Sequence, residues 1–135
     1  MLKLSVLDQS TAADGVAQDQ AIRDTIELAR LCEDLGYHRF RVSEHHNHPT
    51  IIGTAPEIMM AAIGQATSRI RIGSAGVMLP HYAPYKVAEQ FRVLDAIAPG
   101  RIDLGLGRAP GSDGKTAMAL NPNGQMDAEH FPANV

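Results

Sequence analysis

The chain has 135 residues, of which 44% are hydrophobic, and a formal net charge of -3 at pH 7. This profile is typical of one globular domain with enough apolar residues for a core. Twelve basic residues stand against fifteen acidic ones without a basic block, and no apolar run reaches the roughly 18 residues of a membrane span, so nucleic acid and membranes are not expected partners.

The first predicted element is a short strand at Lys3 to Leu7, whose apolar run is too short for a signal peptide. The protein is therefore expected to stay in the cytoplasm. Apolar residues then recur at helical spacing, as Ile22 and Ile26 do, until Gly36 ends the helix as a C-cap. Cys32 is the only cysteine and lies in this apolar pattern, which predicts a buried, unreactive thiol and excludes an intrachain disulfide.

A second strand is predicted at Arg39 to Ser43, followed by the polar loop EHHNHPTIIG. Thr54 and Glu57 stand three residues apart at the start of an apolar segment, which predicts a capping box and a helix. Ile70 to Leu79 is predicted to be one continuous strand rich in small residues. Pro84 begins a further amphipathic helix.

The fourth predicted strand, RIDLGLG, covers 101–107 and alternates between two kinds of residue. One face carries the apolar side chains of Ile102, Leu104 and Leu106. The other face holds Asp103 and is otherwise bare at Gly105 and Gly107, which indicates space for a large group. A short helix near Lys115 to Leu120 and a polar tail follow.

Strands and helices alternate along the chain, which predicts an α/β fold with a parallel sheet and crossover helices. Four β/α units are half of a (β/α)8 TIM barrel, which takes about 250 residues. Residues 1–135 are therefore either a complete open sheet or a truncated barrel with two unpaired edge strands. In both arrangements ligands bind at the carboxyl ends of the strands.

The loop after the second strand, SEHHNHP, contains the first candidate site residues. A solvated loop, a metal site and acid/base chemistry are all compatible with it. His46 and His48 are two residues apart, so in an extended segment they point the same way, as two imidazoles that share a metal do. Such a His-x-His metal-dependent hydrolase needs further ligands, and the candidates are Glu44, His81, Asp103 and His130.

Two other segments have ambiguous patterns. The segment APGSDGKT, residues 109–116, is close to a phosphate-binding loop, but Pro110 removes an amide and no strand follows to supply a magnesium ligand. Nucleotide hydrolysis is therefore disfavoured. The small residues from Gly73 to Gly76 either let a flat ligand approach the backbone or only allow tight packing of the sheet.

Three segments read together, SEHHN, GSAGVMLPHYAPYKVAEQFRVLDAIAPGRIDLGLGRAPGSD and FPANV, resemble the bacterial luciferase-like, flavin-dependent monooxygenases. The resemblance implies that residues 1–135 are a luciferase-like monooxygenase domain, the N-terminal half of a barrel. It also implies reduced FMN, delivered by a separate NAD(P)H:flavin reductase, and O2 as the oxidant of a small organic substrate. Some relatives use a deazaflavin instead of FMN. A homo-oligomer is also expected.

The same resemblance implies which residues carry the chemistry. His45 and His46 match the two histidines of the family's Glu-His-His, the first of which lies near the flavin ring and serves the reaction. An imidazole donates or accepts a proton close to neutral pH, and Glu44 is placed to orient one ring. No metal is implied at this site.

The cofactor-binding residues implied by the resemblance are Ser74, Ala75, Gly76, Gly107 and Arg108. Ala75 and Gly76 match a pair that relatives join by a non-proline cis peptide beneath the flavin. Arg108 matches an arginine that contacts the flavin and counters its negative charge. Gly107 stands where some luciferases have a cysteine, so no thiol role is implied there.

The resemblance also leaves an alternative open, because the family's later strands supply most phosphate-binding groups and close the pocket. Residues 1–135 are then a catalytically silent half-barrel that associates with itself or with a complementary half. Luciferase-like catalysis and this silent association remain the two main hypotheses, with the metal-dependent hydrolase third.

Overall fold

The computed structural model describes residues 2–110, 112–122 and 131–135. Within them the strands are β1 (Ser5–Asp8), β2 (Arg39–Val42), β3 (Arg71–Ser74), β4 (Val77–Met78), β5 (Ile102–Asp103) and β6 (Leu106–Gly107). The main sheet has the order β1-β2-β3-β5, and β4 pairs with β6. All of these pairings are parallel, which confirms the predicted α/β class.

The described helices are α1 (Gln18–Asp34), α2 (Pro56–Ala66), α3 (Pro84–Ile97) and α4 (Gly114–Leu120), with 3-10 turns at Leu79–His81 and Phe131–Asn134. The predicted end of α1 is confirmed, because Gly36 has a φ of 79° and the Tyr37 N–H donates to the Cys32 carbonyl at 2.9 Å. This is the Schellman arrangement, which favours glycine. No described helix has the length and apolar character that crossing a bilayer would take.

The hydrophobic core lies between one face of the main sheet and helices α1, α2 and α3. Phe40, Val42 and Ile72 point from the strands into it and are at most 2% exposed. Burying each such side chain contributes about 1.5–3 kcal/mol. Cys32 lies in this core with its pKa raised by burial, so the prediction of a buried thiol is confirmed.

The opposite face of the main sheet is polar, and we call it the inner face. Because side chains alternate along a strand, it consists of Ser5, Leu7, Arg39, Arg41, Arg71, Gly73 and Asp103. Asp103 accepts hydrogen bonds from Arg39 at 2.9 Å and from Arg71 at 2.6 Å. The Arg71 bond, with that of Arg39, outweighs burial and lowers the pKa of Asp103.

The third and fourth predicted strands are each broken in two, so the prediction of continuous strands is wrong. The break after β3 is the peptide between Ala75 and Gly76, which is cis. The break after β5 follows from Ser74, whose hydroxyl donates to the Gly105 carbonyl at 2.8 Å and accepts from the Gly105 N–H at 2.9 Å. A side chain thus replaces the regular backbone ladder there, and Leu104 is left 45% exposed.

The predicted capping box is also wrong. The N-cap of α2 is Ala55, Pro56 occupies the first helical position, and no side chain caps the helix. Because a residue before proline avoids the helical conformation, the helix cannot begin earlier than Pro56. Thr54 is therefore one position too early to cap the helix, and Glu57 falls in its first turn without the reciprocal bond.

Candidate functional site

The carboxyl ends of the strands meet at one edge of the molecule, as parallel strands require. There the Ala75 N–H donates to the Val42 carbonyl at 2.8 Å, and the Val77 N–H donates to the Gly105 carbonyl at 2.8 Å. Met78 pairs with Gly107 in the register of β4 and β6. The loop after β2, the cis peptide and the end of β6 therefore form one contiguous region.

The centre of this region is a buried carboxylate, that of Glu44. It is 1% exposed, and its Oε2 accepts the Met78 N–H at 2.8 Å. Its Oε1 accepts from the Tyr82 hydroxyl and from His46 Nε2, the latter at 2.7 Å. A buried charge needs such donors, because leaving it without them costs several kcal/mol. Glu44 therefore joins the loop after β2 to β4.

The bond to Glu44 fixes the orientation of the His46 ring. Nε2 points at the carboxylate and donates to it, so the opposite ring nitrogen, Nδ1, faces away from Glu44. The His81 ring lies edge-on to it, with 6.2 Å between the ring centroids. The bond to Glu44 therefore holds the His46 ring in one orientation.

His45 is held differently from His46. Its backbone N–H donates to the Gly53 carbonyl at 3.1 Å, and its Nδ1 lies 3.3 Å from the Ser43 hydroxyl oxygen. The ring is half-buried, and its Nε2 has no hydrogen-bond partner among the residues that the structure describes. One imidazole nitrogen therefore remains available to a ligand at the ends of the strands.

The backbone around the cis peptide forms a platform that lacks large side chains, and we define this platform as Ala75, Gly76, Gly105 and Gly107. A Cβ on Gly76 would lie 2.8 Å from the Gly105 carbonyl oxygen, and a Cβ on Gly105 would collide with the Ser74 carbonyl. Gly105 is thus required because two chain segments pack closely against each other there. The sequence had indicated a different reason, namely space for a ligand.

The remaining predicted cofactor residues border the platform. Ser74 is fully buried, and its hydroxyl is occupied by Gly105, so it supports the platform from beneath. Gly107 is half-buried beside Met78. Arg108 follows β6 directly, is exposed, and forms no ion pair within the described part of the chain. A planar, anionic group fits bare backbone that has a free guanidinium next to it.

The sequence analysis missed Tyr82 as a site residue, and it offered His81 only as a candidate metal ligand. Burial, followed by the hydrogen bond to Glu44, raises the pKa of Tyr82, so its phenol remains a donor. His81 donates from Nε2 to the Pro110 carbonyl at 2.7 Å, which ties the turn after β4 to the segment after β6. The segment PHYAP after the third strand was the available signal, but nothing in it indicates a contact with Glu44.

The side chains offered for a metal site have other partners. His48 Nδ1 accepts the N–H groups of Thr50 and Ile51, at 3.3 and 3.1 Å, while His46 is bonded to Glu44. Asp103 is paired with two arginines. His130 lies outside the described residues. Among the residues that are described, no three metal-ligating side chains lie together.

The phosphate-loop pattern also has another explanation. Asp113 is the N-cap of α4 and accepts the Thr116 N–H at 2.9 Å, which lowers its pKa. A carboxylate at this helix start repels a phosphate. Asn47 Nδ2 donates to the Thr116 hydroxyl at 3.1 Å, so this helix packs against the histidine loop.

One large cavity lies away from the ends of the strands that carry the site. Its volume is about 670 Å³, and Leu4, Glu33, Tyr37 and Arg69 are among its lining residues. These residues are at the amino ends of the strands, where parallel α/β folds do not bind their substrates. We therefore assign the candidate site to the open platform and its histidines on chemical grounds.

Comparison with known proteins identifies the family of the chain. The sequence model of the luciferase-like monooxygenase family matches residues 2–130. The N-acetyl-S-alkylcysteine monooxygenase of Bacillus subtilis is 52% identical over 97% of this chain and 39% of its own length. The crystal structure of apo-MsnO8 has a TM-score of 0.94 at 42% identity, and the match covers 99% of this chain and 40% of that one.

A more distant structure shares the fold. It is the oxygenating constituent of 3,6-diketocamphane monooxygenase from Pseudomonas putida, solved in complex with FMN. The TM-score is 0.78 at 23% identity, and the match covers 87% of this chain and 32% of that one. The chain spans about 40% of the length of the curated relatives that it matches. Since the family match covers nearly all of its residues, the chain belongs to the luciferase-like monooxygenase family.

Proposed function

We propose that the protein is a flavin-dependent monooxygenase that uses reduced FMN and O2 to oxidise a small organic substrate. The observation that carries this proposal is the Glu44 carboxylate, which bonds both His46 and the Met78 amide next to Gly107. Through it, the oriented imidazoles and the bare platform belong to one site. A relative named as a monooxygenase and a shared fold that holds FMN support the same reading.

Each residue of the site has a proposed task. The platform at Ala75 and Gly76 receives the flat ring, and Arg108 compensates its negative charge. His45, with Nε2 free of described protein partners, exchanges protons with the substrate or the ring. His46, held by Glu44 through Nε2, offers Nδ1 as a second contact for the bound ligand.

Reduced FMN, when bound, supplies the two electrons with which one oxygen atom of O2 enters the substrate and the other leaves as water. A separate NAD(P)H:flavin reductase is proposed to regenerate it. A deazaflavin is the alternative cofactor, as in a more distant relative of the fold that was solved with an F420-acetone adduct. The substrate class first to be tried is the S-alkylated cysteines named for the Bacillus subtilis relative.

Titration of the protein with FMN and with F420, followed by flavin fluorescence, tests the proposal. We expect FMN to bind with one site per chain and Arg108→Ala to weaken binding about tenfold, the size of one charge-assisted contact. Arg92→Ala, an exposed arginine of α3, is the control and should leave binding unchanged. Failure of the unmodified protein to bind either flavin would refute the proposal.

A catalytically silent half-barrel is the second candidate, because the strands at both edges of the main sheet have one described neighbour each. An oxygen-electrode assay with NAD(P)H, flavin reductase, FMN and an S-alkylcysteine derivative separates the two candidates. Oxygen uptake that depends on His45 supports the enzyme. Equal uptake with His45→Ala supports the silent half-barrel, since uptake then comes from the reductase and free flavin alone.

The homo-oligomer expected from the family also remains a proposal. Ile58 of α2 and Val93 of α3 are 67% and 60% exposed and line a common apolar groove, which a second copy would cover. Analytical ultracentrifugation of the wild type and of Ile58→Lys is the test. A dimer that the lysine converts to a monomer supports the proposal, and a wild-type monomer contradicts it.

A further inference from the structure

A second, smaller cavity lies where the turn after β4 meets the first turns of α2 and α3. Its volume is about 210 Å³, and Glu57, Val77, His81 and Phe91 are among its lining residues. Val77 and Phe91 belong to the hydrophobic core, so this cavity is on the helical side of the sheet and not on the inner face. No platform residue lines it. The cavity is therefore separate from the site proposed for the flavin.

His81 is a lining residue of this cavity whose side chain lacks a partner. The residue is only 6% exposed. Its Nε2 donates to the Pro110 carbonyl at 2.7 Å, but its buried Nδ1 has no hydrogen-bond partner within the described part of the chain. Pro110 does not line the cavity, so the bond to Pro110 leaves the rest of the ring for the cavity wall. A buried polar atom without a partner destabilises the fold, and a ligand that bonds it removes this cost.

Other polar side chains around the cavity are bonded elsewhere or lie at its rim. The Tyr82 hydroxyl donates to Glu44. The Lys86 ammonium lies 3.6 Å from the Glu89 carboxylate, and its side chain is 65% exposed. As these side chains are placed, none of them bonds the His81 ring. We therefore look for the partner of Nδ1 in a bound molecule.

The walls of the cavity define the chemistry of that molecule. Nδ1 is an acceptor in one protonation form of the ring and a donor in the other, and a hydroxyl group can pair with either form. Val77, Ala83 and Phe91 provide apolar walls, which favour a hydrocarbon body.

The volume of the cavity defines the size of the molecule. Since a cavity of about 150 Å³ holds benzene, the volume here admits about five to seven non-hydrogen atoms. A single water takes only about 30 Å³ and would leave the apolar walls uncovered. A small organic molecule with one hydroxyl group therefore fits the cavity better than water does.

We propose that this cavity is a binding site for a small neutral alcohol, whose hydroxyl group bonds His81 Nδ1 and whose hydrocarbon part contacts Val77 and Phe91. The proposal goes beyond the proposed function, because it involves neither a flavin nor the platform. Its readout is binding of an alcohol to the protein without flavin. Its failure and the failure of flavin binding are therefore distinguishable.

Titration of the protein, labelled with ¹⁵N-histidine, with 1-butanol and with cyclohexanol tests the proposal by NMR. We expect the His81 Nδ1 resonance, assigned with His81→Phe, to move with a dissociation constant of about 1 mM, as for ligands of so few atoms. Ala83→Leu adds side-chain volume to the cavity wall and should weaken binding at least tenfold. Ala88→Leu, the same change at an exposed position of α3 that does not line the cavity, is the control and should leave binding unchanged.

Two further comparisons test the hydrogen bond and the charge of the ligand. Methylcyclohexane, which lacks the hydroxyl group, should bind at least tenfold more weakly than cyclohexanol. Butylammonium should bind more weakly than 1-butanol, and tighter binding of the cation would assign the cavity to a ligand of Glu57 and overturn the proposal. Two other results also overturn it: an Nδ1 resonance that neither alcohol moves, and binding that Ala83→Leu does not weaken. Circular dichroism checks that Ala83→Leu folds, and the methylcyclohexane comparison needs no variant.

Discussion

Tyr82 shows how one side chain can fix the state of its neighbours. Its hydroxyl donates to Glu44 Oε1, which also accepts from His46, so the carboxylate, the phenol and the imidazole are one hydrogen-bonded group. Burial and this contact raise the pKa of Tyr82, which keeps the phenol protonated in the folded state. The geometry of the histidine loop therefore depends on a residue 38 positions away from Glu44.

This arrangement predicts an alkaline loss of stability. The pKa of Tyr82 is raised above its ordinary value of about 10, so above that pH the unfolded state binds fewer protons than the folded state. The contribution of Tyr82 to the free energy of unfolding should thus be fully present below pH ~10 and should be lost as the pH rises further. Urea unfolding at several alkaline pH values should show a shallower fall for Tyr82→Phe than for the wild type.

Tyr85→Phe is the matched control for this experiment, because Tyr85 is 78% exposed and forms none of these contacts. Its profile should follow that of the wild type. Identical slopes for Tyr82→Phe and the wild type would show that the phenol does not hold the proton in the folded state.

At the scale of elements, two charged side chains fasten the turns between helices and strands. The Glu33 carboxylate, at the end of α1, accepts the N–H groups of Ser68, Arg69 and Ile70 before β3. Arg101, before β5, donates to the carbonyls of Gly64 and Thr67 at the end of α2. Both contacts join elements that a local pattern treats separately.

Glu33 predicts an acid-dependent contribution to stability. Burial raises its pKa, but the amides of Ile70, Arg69 and Ser68 outweigh this and lower it to about 2. The unfolded value is higher, so the stabilisation is present above the unfolded pKa of about 4.3 and is lost as the pH falls towards 2. Glu33→Gln should lower the free energy of unfolding at pH 7 by about 1–2 kcal/mol, since solvent screens part of the effect.

Chemical denaturation of Glu33→Gln and of the wild type from pH 7 to pH 2 measures this difference in the free energy of unfolding. The free energies of the two proteins should converge at the acid end. Glu27→Gln is the control, because Glu27 is exposed and its carboxylate pairs with Arg30 of the same helix. A constant difference between Glu33→Gln and the wild type over the whole range would contradict the assignment.

The sequence predicted these elements unevenly. The helix end at Gly36 was predictable because Gly and the apolar stripe act locally, and the parallel order follows from alternating strands and helices. The break at Gly105 was not, because it depends on the Ser74 hydroxyl reaching across to another strand. The role of Tyr82 was not predictable either, because its side chain approaches Glu44 only in the folded chain.

For the whole molecule, the position of each strand in the sheet should set its resistance to opening. β2 and β3 have hydrogen-bonded neighbours on both sides, while β1 and β5 have one each in the described structure. Phe40 and Ile72, on the two central strands, are fully buried. Hydrogen exchange followed by mass spectrometry should therefore show slower exchange in 39–42 and 71–74 than in 5–8 and 102–103. Faster exchange in the centre than at the edges would contradict this sheet order.

The one-sided placement of the hydrophobic core has a consequence for synthesis in the cell. The strands of the main sheet pair in parallel with partners that are 30 to 34 residues away, so each pairing closes a long loop and forms slowly. During synthesis, the apolar faces of α1, α2 and α3 stay uncovered until the strands that they pack against have been made, and aggregation competes with folding in that interval.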